Sequence, residues 1–526
     1  MIKKWLPALA LANLNWAGVV FHGDPTGQND SAAPLQQAIN QLAAQGGGTL
    51  LVPRGNYAMN TYRRSTHPCK FTNILVPSNV TLQGEPGARL RQNASGRGPV
   101  GACGTVENSV LAVANATTFQ TISFQRGAFY GAHPVTANDT SVSATNPSDA
   151  KHFVVGDSIG IYGEKTGDVL PSEFTTVTRV DAAKGVIGFA VHLARAFPTA
   201  YITKVTDYAV RNVTLTNLTL EGAVPFEAQE GFNITLENCA LRYDTTAGGG
   251  NLVTGFVINT VRNFRMSGGS VEPVSGGAFV GTELPQRNSA DVTFEGVTFT
   301  GETFGTGEFG IHWKFSRCTF WLTSATAPQA FALQGWDMAA TGNIFHATGY
   351  SASGATCVSD FAGGIGSHRA LFGAVRFTDN FIYCDTRGSG NPAVKSALPG
   401  TQWIGNHIEG NPGTVGAALN GDGFMFSGNY VNVSHVSWAI LAETYSGTDS
   451  GVIMNNVVNG GGSVSNGIDL PGGGPRAGGY VITGNTFVGF TTAGVNIPVI
   501  TASHSGTVVA NNFGSPDYQP PARKSR

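Results

Sequence analysis

MAATGNIF (338–345), VRFTDNFI (375–382), TQWIGNHI (401–408), FMFSGNYV (424–431), VIMNNVV (452–458), YVITGNTF (480–487) and VVANNF (508–513) are one motif written seven times. Its asparagine falls at Asn343, Asn380, Asn406, Asn429, Asn456, Asn485 and Asn512, at spacings of 23 to 37 residues. Apolar residues two apart lead into it and another stands two past it, which is strand patterning broken by a corner. A side chain that returns once per turn of a coil stacks on its own copies, so the repeat predicts a solenoid. Gly342, Asp379, Gly405, Gly428, Asn455 and Gly484 precede the asparagine. These residue types accept the left-handed backbone that a sharp corner needs. A buried amide must be hydrogen-bonded, and amides stacked about 4.8 Å apart supply one another's partners. The ladder is therefore expected to face inward and hold the corners in register.

The frame continues upstream without the asparagine, in VTLTNLTL (213–220), ITLENCAL (234–241), FRMSGGSV (264–271), VTFEGVTF (292–299) and WKFSRCTF (313–320). There the ladder position holds Leu218, Cys239, Gly269, Val297 and Cys318, giving twelve turns between Val213 and Phe513.

Of the 526 residues, 41% are hydrophobic and only 12% charged, against about 25% charged in ordinary domains. A net charge of −2 argues against a nucleic-acid partner. The absence of a long apolar run argues against a membrane span. Cys239 and Cys318 read as small core residues. Cys69 with Cys103, and Cys357 with Cys384, are open as loop disulfides, and no metal-binding spacing occurs. The sequons Asn79-Val80-Thr81 and Asn212-Val213-Thr214 read as incidental strand sequence. MIKKWLPALALA at the start is like a short signal peptide. However, Asn13 and Asn15 interrupt it and a strand, NWAGVVF, follows at once. A retained docking element is expected.

GDPTGQNDSAAPLQQAINQLAAQGGGTLLVPRGNYAM (23–59) places Asp30 or Ser31 as the cap of a helix with Leu35, Ala38, Ile39 and Leu42 on one face. Gly46-Gly47-Gly48 ends the helix, and TLLVP and PRGNY follow as strand and turn. With NVTLQGE (79–85), this stretch resembles the pectate-lyase-like family of single-stranded right-handed β-helices, which includes phage tailspikes, secreted polysaccharide lyases and glycoside hydrolases. The resemblance implies an all-β chain: a right-handed parallel β-helix of about twelve or more coils, with an N-terminal capping helix and a small antiparallel β insertion. The expected boundaries are an N-terminal segment 1–14, cap and first coils 15–114, insertion 115–205, main β-helix 206–513 and an extended tail 514–526.

The resemblance also implies three sheets, with the strand before the ladder corner in the second, the strand after it in the third, and the substrate groove on the outer face of the first. First-sheet strands are then expected at GFVINT (255–260), AFVGTE (278–283), FGIHW (309–313), AFALQGW (330–336), AALNGD (417–422), WAILAET (438–444), NGIDLP (466–471) and GVNIPV (494–499). Alternation turns Asn259, Thr282, His312, Gln334, Asn420, Asp469 and Asn496 outward. Asp422, Glu443 and Asp469 fall on consecutive coils, where crowded carboxylates give one acid and one base. Glu283, Glu308 and His312 form a second candidate set around a titratable imidazole. Trp438 and Trp336 are candidate sugar platforms, with Gln334, Asn420 and Asn496 as further substrate contacts, whereas Trp403 reads as core. On the third sheet, Glu221, Arg242, Glu272, Thr300, Trp321, His346, Tyr383, Glu409 and Asn432 form an outward strip, either paired across coils or an oligomer interface.

These features predict an extracellular protein that binds and degrades a polysaccharide. The leading form is a homotrimeric tailspike-like depolymerase on a virion tail, attached through its N-terminus to a larger assembly. A secreted bacterial lyase or glycoside hydrolase, and a non-catalytic adhesive virion protein, are the alternatives. No cofactor is expected, and calcium is an option only if the chemistry is elimination.

Overall fold

The computed structural model describes residues 19–64, 69–99, 106–115, 128–163, 172–193, 196–205, 209–247, 251–274, 289–306, 310–360, 373–386, 392–442, 450–470, 479–496 and 507–514. The chain winds into a right-handed parallel β-helix with a small antiparallel sheet attached. The second sheet runs in register from Gly48–Val52 through Val80–Gly84 and Val210–Thr216 to Val508–Ala510. The third runs from Gly55–Met59 through Ala88–Gln92 and Thr219–Gly222 to Thr486–Asn496. The first stacks Gln329–Leu333, Thr356–Asp360, Pro392–Ser396, Val415–Leu419 and Trp438–Leu441.

The corner between second and third sheets is left-handed in all twelve counted turns, with φ between 51° and 69° from Asn217 to Asn511. Behind it the asparagine ladder is buried. Asn429 is typical. Its Nδ2 donates to Trp403 O at 2.9 Å and to Asn456 Oδ1 at 3.1 Å. Its Oδ1 accepts from the backbone N–H and the Nδ2 of Asn406 at 2.9 and 3.0 Å. In the upstream coils Cys239 and Cys318 point their thiols at Leu215 O and Phe294 O, each at 3.5 Å. The core beside the ladder is aromatic. Phe299, Phe320 and Phe345 stack coil on coil with centroids 4.7 and 4.8 Å apart.

The helix Ala32–Ala44 caps the N-terminal end, burying Leu35, Ile39 and Leu42. Asp30 Oδ1 accepts the Ala32 N–H at 3.0 Å. Gly47 has φ +118°, and a Cβ there would lie 2.2 Å from Asn79 O, so only glycine fits where the cap meets the next coil.

The insertion contains a six-stranded antiparallel sheet of its own, from Tyr130–Ala132 to Ala200–Lys204. Its strand order is not a simple meander, since Ala200–Lys204 lies between Ser158–Tyr162 and Tyr130–Ala132. It leaves the coil at the corner between first and second sheets, and the ladder resumes across it, with Val210–Thr216 paired directly to Val80–Gly84. Tyr162, Phe174 and Val205 pack with Phe232 of the second sheet, which docks the insertion beside that corner.

Cys357 and Cys384 form a disulfide with Cα atoms 5.9 Å apart. Both are fully buried within strands of the first and third sheets rather than in loops. Cys69 is also disulfide-bonded, and Cys103 lies outside the described residues. Segment 1–14 and residues 515–526 of the tail lie outside them too. Among the described residues no helix is long and apolar enough to cross a membrane.

Two first-sheet assignments require correction. In FGIHW, Gly310–Ile311 pairs with Ala290 and with Gly335–Trp336, so it belongs to the edge of the second sheet. AFALQGW splits: Gln329–Leu333 stays in the first sheet, while Gly335–Trp336 begins the second, with Gln334 between them. Both short segments run directly into a left-handed corner residue, His312 or Asp337 with φ 55° and 51°, and in AFALQGW the backbone already bends between Gln334 and Trp336, where Gly335 has φ +152°.

Candidate functional site

The outer face of the first sheet can be read residue by residue from its register. One column holds Gln329, Thr356, Pro392, Val415, Trp438 and Asn466; the next holds Ala332, Ser359, Lys395, Ala418, Leu441, Asp469 and Asn496. Val415, Ala418 and Leu441 form an apolar cluster with half-buried Trp438 that is separate from the main core. It forms an apolar floor on the outer face of the first sheet, in which Val415, Ala418 and Leu441 are buried and Trp438 is the partly exposed member. Lys395 borders it on one side and Asn466 and Asp469 on the other. Lys395 has no acidic partner among the described residues. The Ser359 Oγ, Asn420 Oδ1 and Asn466 Oδ1 atoms are buried and have no hydrogen-bond partner among the described residues. Unpaired polar atoms beside a half-buried aromatic ring are what hydroxyl-rich ligands satisfy.

The expected trio of acids does not form one column. Asp469 is opposite Leu441, whereas Asp422 lies beyond the end of its strand, Val415–Leu419. Its carboxylate accepts the Ser450 N–H and hydroxyl, both at 3.1 Å, which makes it a turn residue. Glu443, Glu283 and Glu308 lie outside the described residues. Gln334 is buried at the corner, where its N–H donates to Thr306 Oγ1 at 2.7 Å. Trp313 and Trp403 are core residues.

The second candidate set assembles differently from expectation. Asn79, Asn212, Asn233 and Asn263 line the first-to-second corner as an exposed amide ladder, with Nδ2-to-Oδ1 distances of 3.0, 3.0 and 2.8 Å. The sequons at Asn79 and Asn212 are therefore repeat positions of the fold. Further along, the same left-handed column becomes Asp291, His312 and Asp337. His312 Nδ1 is 3.0 Å from Asp291 Oδ1, and Nε2 is 3.6 Å from Asp337 Oδ2. Arg262 Nε lies 2.9 Å from Asp291, and Arg376 Nη2 2.6 Å from Asp337. Burial works to raise the Asp291 carboxyl, but hydrogen bonding to His312 and the Arg262 charge outweigh it and hold it below its usual range. Trp336 adjoins this network, since its carbonyl accepts the His312 N–H at 3.0 Å. An imidazole clamped by two carboxylates can hold and pass a proton. Sequence reasoning missed Asp291, Asp337, Arg262 and Arg376. The corner residues were nevertheless marked, because Asn212, Asn233, Asn263, Asp291, His312 and Asp337 each stand six residues before a ladder position.

A third group is enclosed. On first-sheet strands of the N-terminal coils, Lys70 Nζ lies 3.2 Å from Glu107 Oε2 and also contacts Glu227. Burial, with the Glu107 charge, pushes the Glu227 carboxyl up to about 7. Among the described residues no three His, Cys, Asp or Glu side chains converge to hold a metal ion.

No protein-family model matches the chain, and no curated protein matches it in sequence. In structure it is similar to the gp54 tailspike of Acinetobacter baumannii bacteriophage AP22, solved in complex with A. baumannii capsular saccharide. The TM-score is 0.50 at 13% identity, over 92% of this chain and 77% of that one. It is similar as well to tailspike protein 3 of bacteriophage CBA120, with TM-score 0.50 at 12% identity, over 97% of this chain and 64% of that one. What the chain shares with these structures is the fold, a right-handed parallel β-helix.

Proposed function

We propose that the protein binds an extracellular polysaccharide along the outer face of its first sheet and cleaves it there. The observation that carries the reading is the apolar floor of Val415, Ala418, Leu441 and Trp438, bordered by Asn420, Asn466 and Ser359 with unpaired polar atoms. A pyranose ring offers C–H faces to the tryptophan and hydroxyls to the amides. Asp469 is the carboxylate placed at the edge of that floor, with Glu443 expected from the neighbouring coil. The AP22 tailspike was solved with a capsular saccharide, which supports the same substrate class here. A virion tail location, a homotrimer and attachment through the N-terminus follow from the tailspike-like reading. Incubation with capsular polysaccharides and exopolysaccharides tests it. New reducing ends indicate hydrolysis and absorbance from unsaturated uronate indicates elimination. Binding with neither product would leave an adhesin, and no binding to any acidic or neutral glycan would overturn the reading.

A second catalytic locus is favoured by one observation, the Asp291–His312–Asp337 clamp beside Trp336. There His312 would serve as general acid or base.

A further inference from the structure

The outer columns of the third sheet are balanced in charge at the N-terminal end except at one residue. Arg91, Glu221, Arg242 and Glu272 stand in register on consecutive coils. Arg91 Nε is 3.2 Å from Glu221, and Arg242 lies 3.0 Å from Glu221 and 3.2 Å from Glu272. The signs alternate and cancel. Arg89 stands one column over, between Asn56 and Thr219, and it also reaches Glu221. Three guanidiniums thus share one carboxylate that is 4% exposed. One positive charge is left over, and the Arg89 Nε is buried with no hydrogen-bond partner among the described residues.

Beside this surplus cation lies a cleft of about 110 Å³, bounded by Thr26, Asn56, Arg89, Arg91 and Asn93. Its size suits a group of a few heavy atoms rather than a polymer chain. The Asn56 side chain is exposed and has no partner among the described residues. Of the loop acids, Asp24 is already saturated by the N–H and hydroxyl of Thr26 at 2.9 and 2.6 Å and by the N–H and amide of Asn29 at 2.7 and 3.0 Å, and Asp30 accepts the N–H groups of Ala32 and Asn60 at 3.0 and 2.8 Å. Glu85 accepts the Arg54 N–H at 3.0 Å. Planar guanidiniums offer paired donors that match phosphate, sulfate and carboxylate oxygens.

The geometry points to an oxyanion-binding site in this cleft, formed by Arg89 and Arg91 with Asn56 as a third donor. It lies on the third sheet, away from the first-sheet floor and the His312 corner. Free phosphate or sulfate and the charged substituent of an acidic glycan share the required chemistry.

The test uses the whole protein, with ionic strength held constant by sodium chloride. Thermal midpoints are measured against sodium phosphate, sodium sulfate, glucuronate and uncharged glucose. The expected result is a saturable rise with at least one anion and none with glucose. Arg89→Gln weakens the effect at least tenfold. Asn56→Asp abolishes it by placing a carboxylate opposite Arg89, and this variant is expected to fold as well as the parent, which separates loss of binding from loss of structure. Tighter binding of glucuronate than of phosphate or sulfate assigns the site to a glycan substituent, and the reverse assigns it to a free anion. No saturable rise in the parent beyond the chloride control, or the same rise in Asn56→Asp, would overturn the proposal.

Discussion

Asn343 Oδ1 accepts the backbone N–H of Cys318 at 2.8 Å across one coil. This contact joins two chemistries of the same corner. The Cys318 thiol donates to the carbonyl of Phe294 but offers only a weak acceptor to a neighbour. The Asn343 amide donates to Phe315 O at 3.1 Å and accepts as well. From Asn343 onward each corner therefore satisfies both its carbonyl and the N–H of the preceding coil.

Asn429→Ala is expected to destabilise the protein by about 3 kcal/mol, because it leaves the Asn406 N–H and the Trp403 carbonyl buried without partners. Asn429→Cys should cost less, since a thiol restores the donor to the carbonyl. Denaturant unfolding of the two variants checks the order, and equal losses would sink the account.

Asp360 gives a pH dependence. It is fully buried with no cation beside it among the described residues, and burial pushes its carboxyl up to about 6 despite donors from Ser396, Ala397, Leu398 and Thr401. A carboxyl whose folded pKa is raised contributes stability below its unfolded value of 3.8. That contribution is lost as pH rises through about 6. Asp360→Asn should flatten the fall in thermal midpoint between those limits, a difference on the order of 2–3 kcal/mol. An unchanged pH profile would show that the four donors hold the ionised form.

Trp438→Ala should weaken polysaccharide binding at least about tenfold by removing a stacking face, with the thermal midpoint nearly unchanged because the residue is half-buried and outside the main core. Isothermal titration and melting curves report the two quantities separately.

Asp469→Asn should lower cleavage about 100-fold or more if the floor is the reaction centre. Full activity in that variant, with a comparable loss in His312→Gln, would move the chemistry to the corner clamp. Product assays at saturating polymer distinguish the outcomes.

The third-sheet strip carries stacked His346 and Tyr383 with centroids 4.8 Å apart, and Trp321 is 48% exposed. If it is the surface through which a trimer forms, Trp321→Glu should shift the molar mass measured by light scattering toward the monomer. An unchanged mass would leave the strip as a solvated face.

The ladder was legible because it is a local rule repeated many times, the cap because one amphipathic stretch ends at three glycines, and the three-sheet coil through the family resemblance. Asn217, Asn238 and Gly268 upstream obey the same corner geometry as the seven turns that define the motif. The sites were legible only in part. His312 and Trp336 were marked as candidates on the first sheet, whereas His312 stands at the corner and Trp336 at the edge of the second sheet, because alternation alone does not tell where the backbone bends. Asp291 and Asp337 were overlooked because neither resembles a motif until the corner stacks them.

The sequence by itself determined the period of the coil and the inward face of Asn343 to Asn512. Only the tertiary structure decided which outward residues meet. Contacts such as Asp291 with His312, or Arg89 with Glu221 across 132 residues, depend on the register of one coil on the next. Loop lengths vary from turn to turn, so that register is set by stacked hydrogen bonds rather than by spacing along the chain.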